Sequence, residues 1–174
     1  MTDARLERFA DGDLAAFESL FREFQGEVYG WIVRMVRDRG AAEELTVETF
    51  LRIYNARARF DAGRSFPAWA RRIASNLALS YLKSHPARPE TPVEPPGEAP
   101  EDPAIRRETR ESIATAFRAL PAKLQAVASL ALIEQQSYDD IADGLGISVG
   151  AVKSRVFRAV RILRTKLKRM GIQP

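Results

Sequence analysis

Basic side chains crowd the last long stretch of this 174-residue chain. Between Lys153 and Arg169 there are eight lysines and arginines and no acidic residue. At about 100° per residue, one side of this stretch is apolar, and the opposite side carries basic groups, a hydroxyl and an aromatic ring. Such groups suit phosphates, base edges and thymine methyls. Ser154, Arg155 and Arg158 point outward in this pattern, and Lys153 and Phe157 lie on the flank.

A short helix and a tight turn precede the basic stretch. Tyr138 to Leu145 forms the first helix of this pattern, with two aspartates in its first turn. Gly146 supplies the left-handed conformation that ends this helix, and Ser148 caps the next one, which starts at Val149. The sequence therefore predicts a helix-turn-helix that reads DNA, and a merely solvated basic face is the alternative.

A second basic surface occurs earlier, where residues 62 to 89 contain five basic residues and no acidic one. Ser65 is positioned to cap a helix that reaches Lys83. Phe66 is assigned to the loop and is expected to contact a base. Trp69, Arg72 and Asn76 follow within that helix. Aromatic rings interleaved with arginine suit unstacked single-stranded bases. The alternative is that both aromatic residues belong to the core.

An acidic face is predicted on the helix that spans about residues 41 to 58. It presents Glu43, Glu44 and Glu48, and carboxylates of this kind bind a hard cation or do acid/base chemistry in other proteins. No His, phosphate loop or second carboxylate cluster accompanies them, so a solvated face or a protein-docking face is favoured. The single His, His85, offers no metal site. We expect no catalytic residue, no metal and no cofactor.

The pattern of the whole chain is that of two small helical domains. Helical spacing runs from an entry helix at Ala4 to Phe9, through a break at the "DGD" of Asp11 to Asp13, and onward from Leu14. Residues 85 to 104 are rich in proline and acid, which indicates an extended linker between domains at 1–84 and 105–174. The net charge of +4 is modest, so charge is localised rather than general. With no signal pattern and no long apolar run, a soluble cytoplasmic protein is expected.

Several stretches taken together closely resemble bacterial RNA polymerase sigma factors of the extracytoplasmic-function (ECF) group. These include "RRIASNLALSYLK", "AVKSRVFRA" and the Pro-rich gap between the two halves. The resemblance implies an all-α protein in which sigma region 2 binds core RNA polymerase at its clamp helices and opens the promoter minus-ten element. Sigma region 4 is then held by the polymerase flap and reads the minus-thirty-five element. An anti-sigma factor, which also holds such proteins at the membrane, is the further partner implied.

The family's functional residues transfer to matching positions here. The clamp-docking helix corresponds to Glu44, Leu45, Glu48 and Phe50. The minus-ten elements correspond to Phe66, Trp69, Arg72 and Asn76. The major-groove readers correspond to Lys153, Ser154, Arg155, Phe157 and Arg158. One departure is Val47, which stands where the family usually has Gln.

Three other classes of protein fit the sequence less well. An ordinary dimeric repressor would leave the first domain unexplained. A sigma-like decoy that only binds an anti-sigma partner would not need the reading helix. A carboxylate-metal nuclease would need a second ligand cluster that the sequence lacks.

Overall fold

The computed structural model describes residues 3–85 and 103–172, and in that part the chain forms eight α-helices and no strand. The helices are α1 (Ala4–Ala10), α2 (Leu14–Val36), α3 (Arg39–Asn55), α4 (Phe66–Ser84), α5 (Pro103–Arg118), α6 (Ala122–Ala128), α7 (Tyr138–Leu145) and α8 (Val149–Arg169). The predicted all-α fold is confirmed. Most of the predicted linker, residues 86–102, lies outside the described residues. The chain divides into two compact units, the first built mainly from residues 1–78 and the second mainly from 79–142 and 147–174.

Short polar side chains start the helices of the first unit. Asp13 accepts hydrogen bonds from the backbone N–H groups of Ala15 and Ala16 at 2.8 and 3.2 Å, which caps α2. Asp38 caps α3 in the same way. Gly12 has a φ of +92°, so the predicted break between α1 and α2 is confirmed.

Aromatic and aliphatic side chains fill the first unit between these helices. Fully buried aliphatic residues from α2 and α3 form one part of the core, among them Leu20, Ile32 and Ile53. Leu14, the first residue of α2, is 66% exposed, so the inward stripe of α2 begins one turn after the start of the helix. Phe21 packs edge-on against Phe50 of α3, with ring centroids 4.9 Å apart. The helices are therefore fixed by rings as well as by aliphatic contacts.

The second unit packs α5 and α6 against α8. Its core cluster contains Phe117, Leu120, Leu124, Ala128, Ala159 and Leu163, with Ala116. Helix α6 begins directly after Pro121, and after Ala128 it continues as a π-helical turn, Ser129–Ile133. This packing leaves one side of α8 free of the core.

The predicted helix-turn-helix bounds are confirmed. Ser137 caps α7 through the N–H of Asp140 at 3.1 Å, and Gly146 has a φ of +66° after the helix. Ser148 accepts from the N–H of Ala151 at 3.1 Å and so starts α8. Local chemistry alone accounts for these boundaries.

None of the helices within residues 3–85 and 103–172 is long and apolar enough to cross a membrane.

Candidate nucleic-acid and protein interfaces

The exposed side of α8 carries most of the predicted major-groove readers. Val152, Val156, Ala159 and Leu163 form its buried stripe. Lys153, Ser154, Phe157 and Arg158 are exposed on the other sides, whereas Arg155 is half-buried at the edge of the stripe. Arg158 donates from Nη2 to Ser154 Oγ at 3.3 Å, so the hydroxyl and the guanidinium adjoin. The structure thus brings four of the five predicted readers to an open surface.

Phe157 is the unusual member of this surface because 65% of it is exposed. Because the ring is exposed to solvent between cations, it contributes little hydrophobic burial to the stability of the unit. Apolar contact with a thymine methyl group is the use that a major groove offers for such a ring.

The basic surface continues beyond the predicted readers to the C-terminal end of α8. A groove of about 430 Å³ is lined by Arg158, Arg161, Ile162, Thr165, Lys166 and Arg169. Among the described residues, none of these cations has a carboxylate within 4 Å. Sequence reasoning counted these residues in the basic run but assigned them no site. Their helical spacing, which places them on the same side of α8 as Ser154 and Arg158, could have indicated that the basic surface continues to the end of the helix.

A pocket in the first unit lies between the segment after α3 and the start of α4. It has a volume of about 580 Å³ and is lined by Arg59, Phe60, Asp61, Arg64, Ser65, Ala68, Trp69 and Arg72. Trp69 is half-buried and rests on Phe60, with ring centroids 4.9 Å apart. Of the predicted minus-ten residues, Trp69 and Arg72 line this pocket. Asn76 is exposed one helical turn beyond Arg72 and outside the lining.

The prediction that Phe66 contacts bases from the loop is wrong. Phe66 is the first residue of α4 and is only 2% exposed. Its ring packs against Phe24 and Phe60, with centroid separations of 5.2 and 5.8 Å. Since Ser65 caps the helix immediately before it, Phe66 is turned into the core and supports the pocket from below.

Helix α1 supports the same pocket through Phe9, which is fully buried. Its ring centroid lies 6.0 Å from that of Phe60 and 6.5 Å from that of Trp69. The hydrogen bond from Arg5 to Glu23 ties α1 to α2 and raises the pKa of the Arg5 guanidinium. The sequence indicated an entry helix but no role for it. A lone phenylalanine before the "DGD" turn was the only signal.

The outward face of α3 differs from the predicted docking set. Glu44 is exposed and Glu48 is partly exposed, as expected, but Leu45 is half-buried. The assignment of Phe50 to a polymerase contact is wrong in this conformation, because Phe50 is 2% exposed and packs against α2.

Two other apolar residues are exposed on the outward face of α3, where Leu45 is half-buried and Phe50 is buried. Val47 and Leu51 are 58% and 56% exposed. At 100° per residue they share one side of the helix with Glu44 and Glu48. Glu48 also pairs with Arg52 at 3.0 Å. In residues 3–85 and 103–172, no group of three or more His, Cys, Asp and Glu side chains is arranged to hold a metal ion.

Comparison with known proteins matches both units. The family model described as Sigma-70 region 2 matches residues 20–87, and the one described as Sigma-70, region 4 matches residues 110–163. The RNA polymerase sigma factor CarQ of Myxococcus xanthus is 33% identical, with 97% of this chain and 98% of that protein covered. The ECF RNA polymerase sigma factor SigW of Bacillus subtilis is 30% identical, with 97% of each chain covered.

Solved structures share the fold. CnrH, determined in complex with the cytosolic domain of CnrY, has a TM-score of 0.58 and 24% identity over 94% of this chain and 95% of that chain. The sigma factor RpoE of Bartonella quintana, determined in complex with the anti-sigma factor NepR, has a TM-score of 0.53 and 21% identity over 87% of this chain and 96% of that chain. These likenesses concern the fold alone. The sequence matches establish that the chain belongs to the ECF family of RNA polymerase sigma factors, which are transcription initiation factors and not enzymes.

Proposed function

We propose that residues 1–84 bind core RNA polymerase and open the promoter minus-ten element, and that residues 105–174 read the minus-thirty-five element. Residues 85–104 join the two. Each contact alone is weak, because few phosphates are neutralised by either unit. Binding of both units on one polymerase turns the second contact into an intramolecular one, which multiplies affinity for promoters with both elements.

The single observation that carries this proposal is the exposed face of α8. A helix-turn-helix typically places the N-terminal part of its second helix in the major groove. In this chain that part presents Lys153, Ser154, Phe157 and Arg158, with Arg155 at the edge. The guanidinium groups suit guanine or phosphates, and the ring suits a thymine methyl group.

Capture of unstacked minus-ten bases is assigned to the pocket beside α4. Trp69 offers a stacking surface and Arg72 a cation at the rim, while Asn76 extends the same exposed face by one turn. Stacking on an aromatic ring contributes about 1–3 kcal/mol per base. Phe66 and Phe9 act from beneath, by holding Phe60 and Trp69 in place.

Docking on core polymerase is assigned to the outer face of α3. Its acids, Glu44 and Glu48, provide charge selectivity, and Val47 and Leu51 provide apolar area at the centre of the contact. Leu45 packs at the edge. The valine at the position usually held by Gln is, in this assignment, an apolar contact that replaces a polar one.

Control by an anti-sigma factor is part of the same proposal. It is supported by the structure of RpoE, which was determined in complex with the anti-sigma factor NepR. Sequestration away from the polymerase, in the cytoplasm or at the inner face of the membrane, would keep the dedicated regulon silent until the partner is removed.

Run-off transcription with core polymerase on a genomic promoter library tests the proposal. Specific transcripts that share two spaced elements are expected. On a selected promoter, Arg158→Ala should lower transcription from duplex templates and from templates mismatched across the minus-ten element alike. Asn76→Ala should recover on the mismatched template to the extent that opening was its defect, and its preferred base should change at one position. Absence of specific transcripts with the parent protein would contradict the proposal.

A further inference from the structure

A groove of about 660 Å³ lies between α2 and α3 in the first unit. Its lining includes Gln25, Gly26 and Tyr29 of α2 and Glu43 and Val47 of α3. Val47 is 58% exposed and also belongs to the outer face of α3, to which docking of core polymerase is assigned. The groove is therefore continuous with that face and extends it onto α2.

Gly26 is an unusual residue for its position, because it lies in the interior of the 23-residue helix α2. Glycine destabilises the interior of a helix relative to alanine. The backbone does not require glycine here, since the φ of Gly26 is not positive. Packing does not require it either, because a Cβ atom at this position would meet no atom of the described residues within 4 Å, apart from its chain neighbours and the backbone of its own helix.

The open space beside Gly26 belongs to the groove, and Gly26 itself is exposed. Contacts within the first unit thus give no reason for glycine at this position. Contact with a partner does, since a residue without a Cβ atom allows another backbone to approach closely.

Polar groups in the same lining are available to a partner. The side chains of Gln25 and Tyr29 have no hydrogen bond to another residue in the part of the chain that the structure describes, and Tyr29 is half-buried. Tyrosines of this kind, with an apolar ring and an unused hydroxyl, are enriched at protein interfaces. Glu43 is exposed, and no cation within residues 3–85 and 103–172 lies within 4 Å of its carboxylate. This unpaired acid favours a basic partner.

We propose that a basic α-helix of core polymerase lies in this groove and passes close to the backbone of α2 at Gly26. A groove between two helices suits the side-chain face of a third helix. Glu43 then pairs with a basic side chain of that helix, and Tyr29 and Val47 pack against its apolar side. Gly26 sets how closely the two backbones approach, so it determines affinity from outside α3. This role of Gly26 rests on the proposed docking of core polymerase at α3.

Side chains of increasing size at position 26 test this role. Because the space beside Gly26 is open, Gly26→Ala and Gly26→Leu should both fold. Gly26→Ala should also raise the urea midpoint of unfolding of the first unit, since alanine favours a helix. In the complex the added atoms would meet the polymerase helix. We expect affinity for core polymerase to fall about fivefold with alanine and about 150-fold with leucine, the range that overpacking of a close contact gives.

Gly30→Ala is the matched control. Gly30 lies one turn later in α2 and outside the lining of the groove, and a Cβ atom there would lie 3.9 Å from Nη2 of Arg34, an ordinary contact. This variant should raise the urea midpoint as Gly26→Ala does, and it should compete for core polymerase as well as the parent. A variant more stable than the parent that binds more weakly is a result that a purely structural role of Gly26 would not produce.

The measurement is competition of the full-length variants with labelled parent protein for core polymerase. Urea unfolding of the same preparations, followed by Trp fluorescence, reports the first unit, which contains both tryptophans. Parent-like competition by Gly26→Leu, equal losses of affinity in Gly26→Ala and Gly30→Ala, or a lower urea midpoint for Gly26→Ala would overturn the inference. Glu48→Lys separates this failure from that of the proposed function. If Glu48→Lys competes poorly while Gly26→Leu competes like the parent, docking at α3 stands without the groove, and parent-like competition by both overturns docking at α3 as well.

Discussion

The exposed face of α8 and the pocket beside α4 use the same kinds of side chain in opposite shapes. Both combine arginines with aromatic rings, yet Phe157 on α8 is 65% exposed and Phe60 in the lining of the pocket is 7% exposed. The face of α8 is convex, and a helix about 10–12 Å across fits a major groove about 12 Å wide. The pocket is concave, with a volume of about 580 Å³. Composition suits DNA in both places, and in the proposed function the difference in shape separates duplex reading from capture of a single base.

The largest expected effect is on the stability of the first unit, where the buried Phe9 is compared with the exposed Phe157. Phe9→Ala should lower the free energy of unfolding of the first unit by about 3–5 kcal/mol, because it empties a filled aromatic core. Phe157→Ala should change it by less than about 0.5 kcal/mol. Both tryptophans, Trp31 and Trp69, lie in the first unit, so urea unfolding followed by Trp fluorescence reports that unit.

The two variants should also affect different promoter elements: Phe9→Ala the minus-ten element and Phe157→Ala the minus-thirty-five element. Phe9→Ala holoenzyme, at a temperature where the first unit remains folded, should show weaker permanganate reactivity of the minus-ten bases. Leu20→Ala is the control, since Leu20 is fully buried but carries no aromatic ring that could stack with Phe60 or Trp69. Phe157→Ala should weaken only the upstream footprint. Equal opening defects in Phe9→Ala and an equally destabilised Leu20→Ala would reduce Phe9 to a general core residue.

Arg158→Ala should weaken recognition of the minus-thirty-five element by about 1–3 kcal/mol. The fold and polymerase binding should be intact, because the Arg158 side chain is exposed and its one polar contact among the described residues is with Ser154. Footprinting with holoenzyme on matched and mutated upstream elements measures the loss. Equal occupancy by mutant and parent would remove Arg158 from the reading surface.

Glu48→Lys should reduce affinity for core polymerase by about tenfold, equivalent to about 1.4 kcal/mol. A reversed charge at a docking face costs more than a lost contact. Glu18→Lys is the matched control, because Glu18 and Arg22 form an exposed i,i+4 pair on α2 like that of Glu48 and Arg52. Competition for core polymerase against labelled parent protein distinguishes the two. Similar competition by both variants would dispose of the docking role of α3.

Arg169→Ala should have the smallest effect, a decrease of about 1 in the slope of log K against log salt, with little change in base preference. Arg169 lies in the groove at the end of α8, where its charge suits a backbone phosphate rather than a base edge. Arg107→Ala is the control, since Arg107 on α5 pairs with Glu111. A change in base preference by Arg169→Ala would extend the reading surface to the end of the helix.

The sequence by itself determined most helix boundaries and which side of α8 is basic and which is apolar. Asp13, Gly146 and Ser148 mark boundaries correctly because caps and left-handed turns depend on a few adjacent residues. The basic and apolar sides of α8 were also readable, since an amphipathic helix has a single period. Family motifs in both halves pointed to the sigma factors for the same reason: they are contiguous.

Only the tertiary structure decided which rings face solvent and which face the core. Phe50 and Phe66 occupy positions that motif matching assigned to partners, yet α1 and α2 bring Phe9, Phe17, Phe21 and Phe24 against the aromatic core that contains them. Those contacts join residues far apart in the chain, so no local pattern encodes them. Val47 and Leu51 remain exposed on α3 because α2 covers its opposite side. The burial of a side chain is set by what the rest of the fold places over it, and that cannot be read from its own helix.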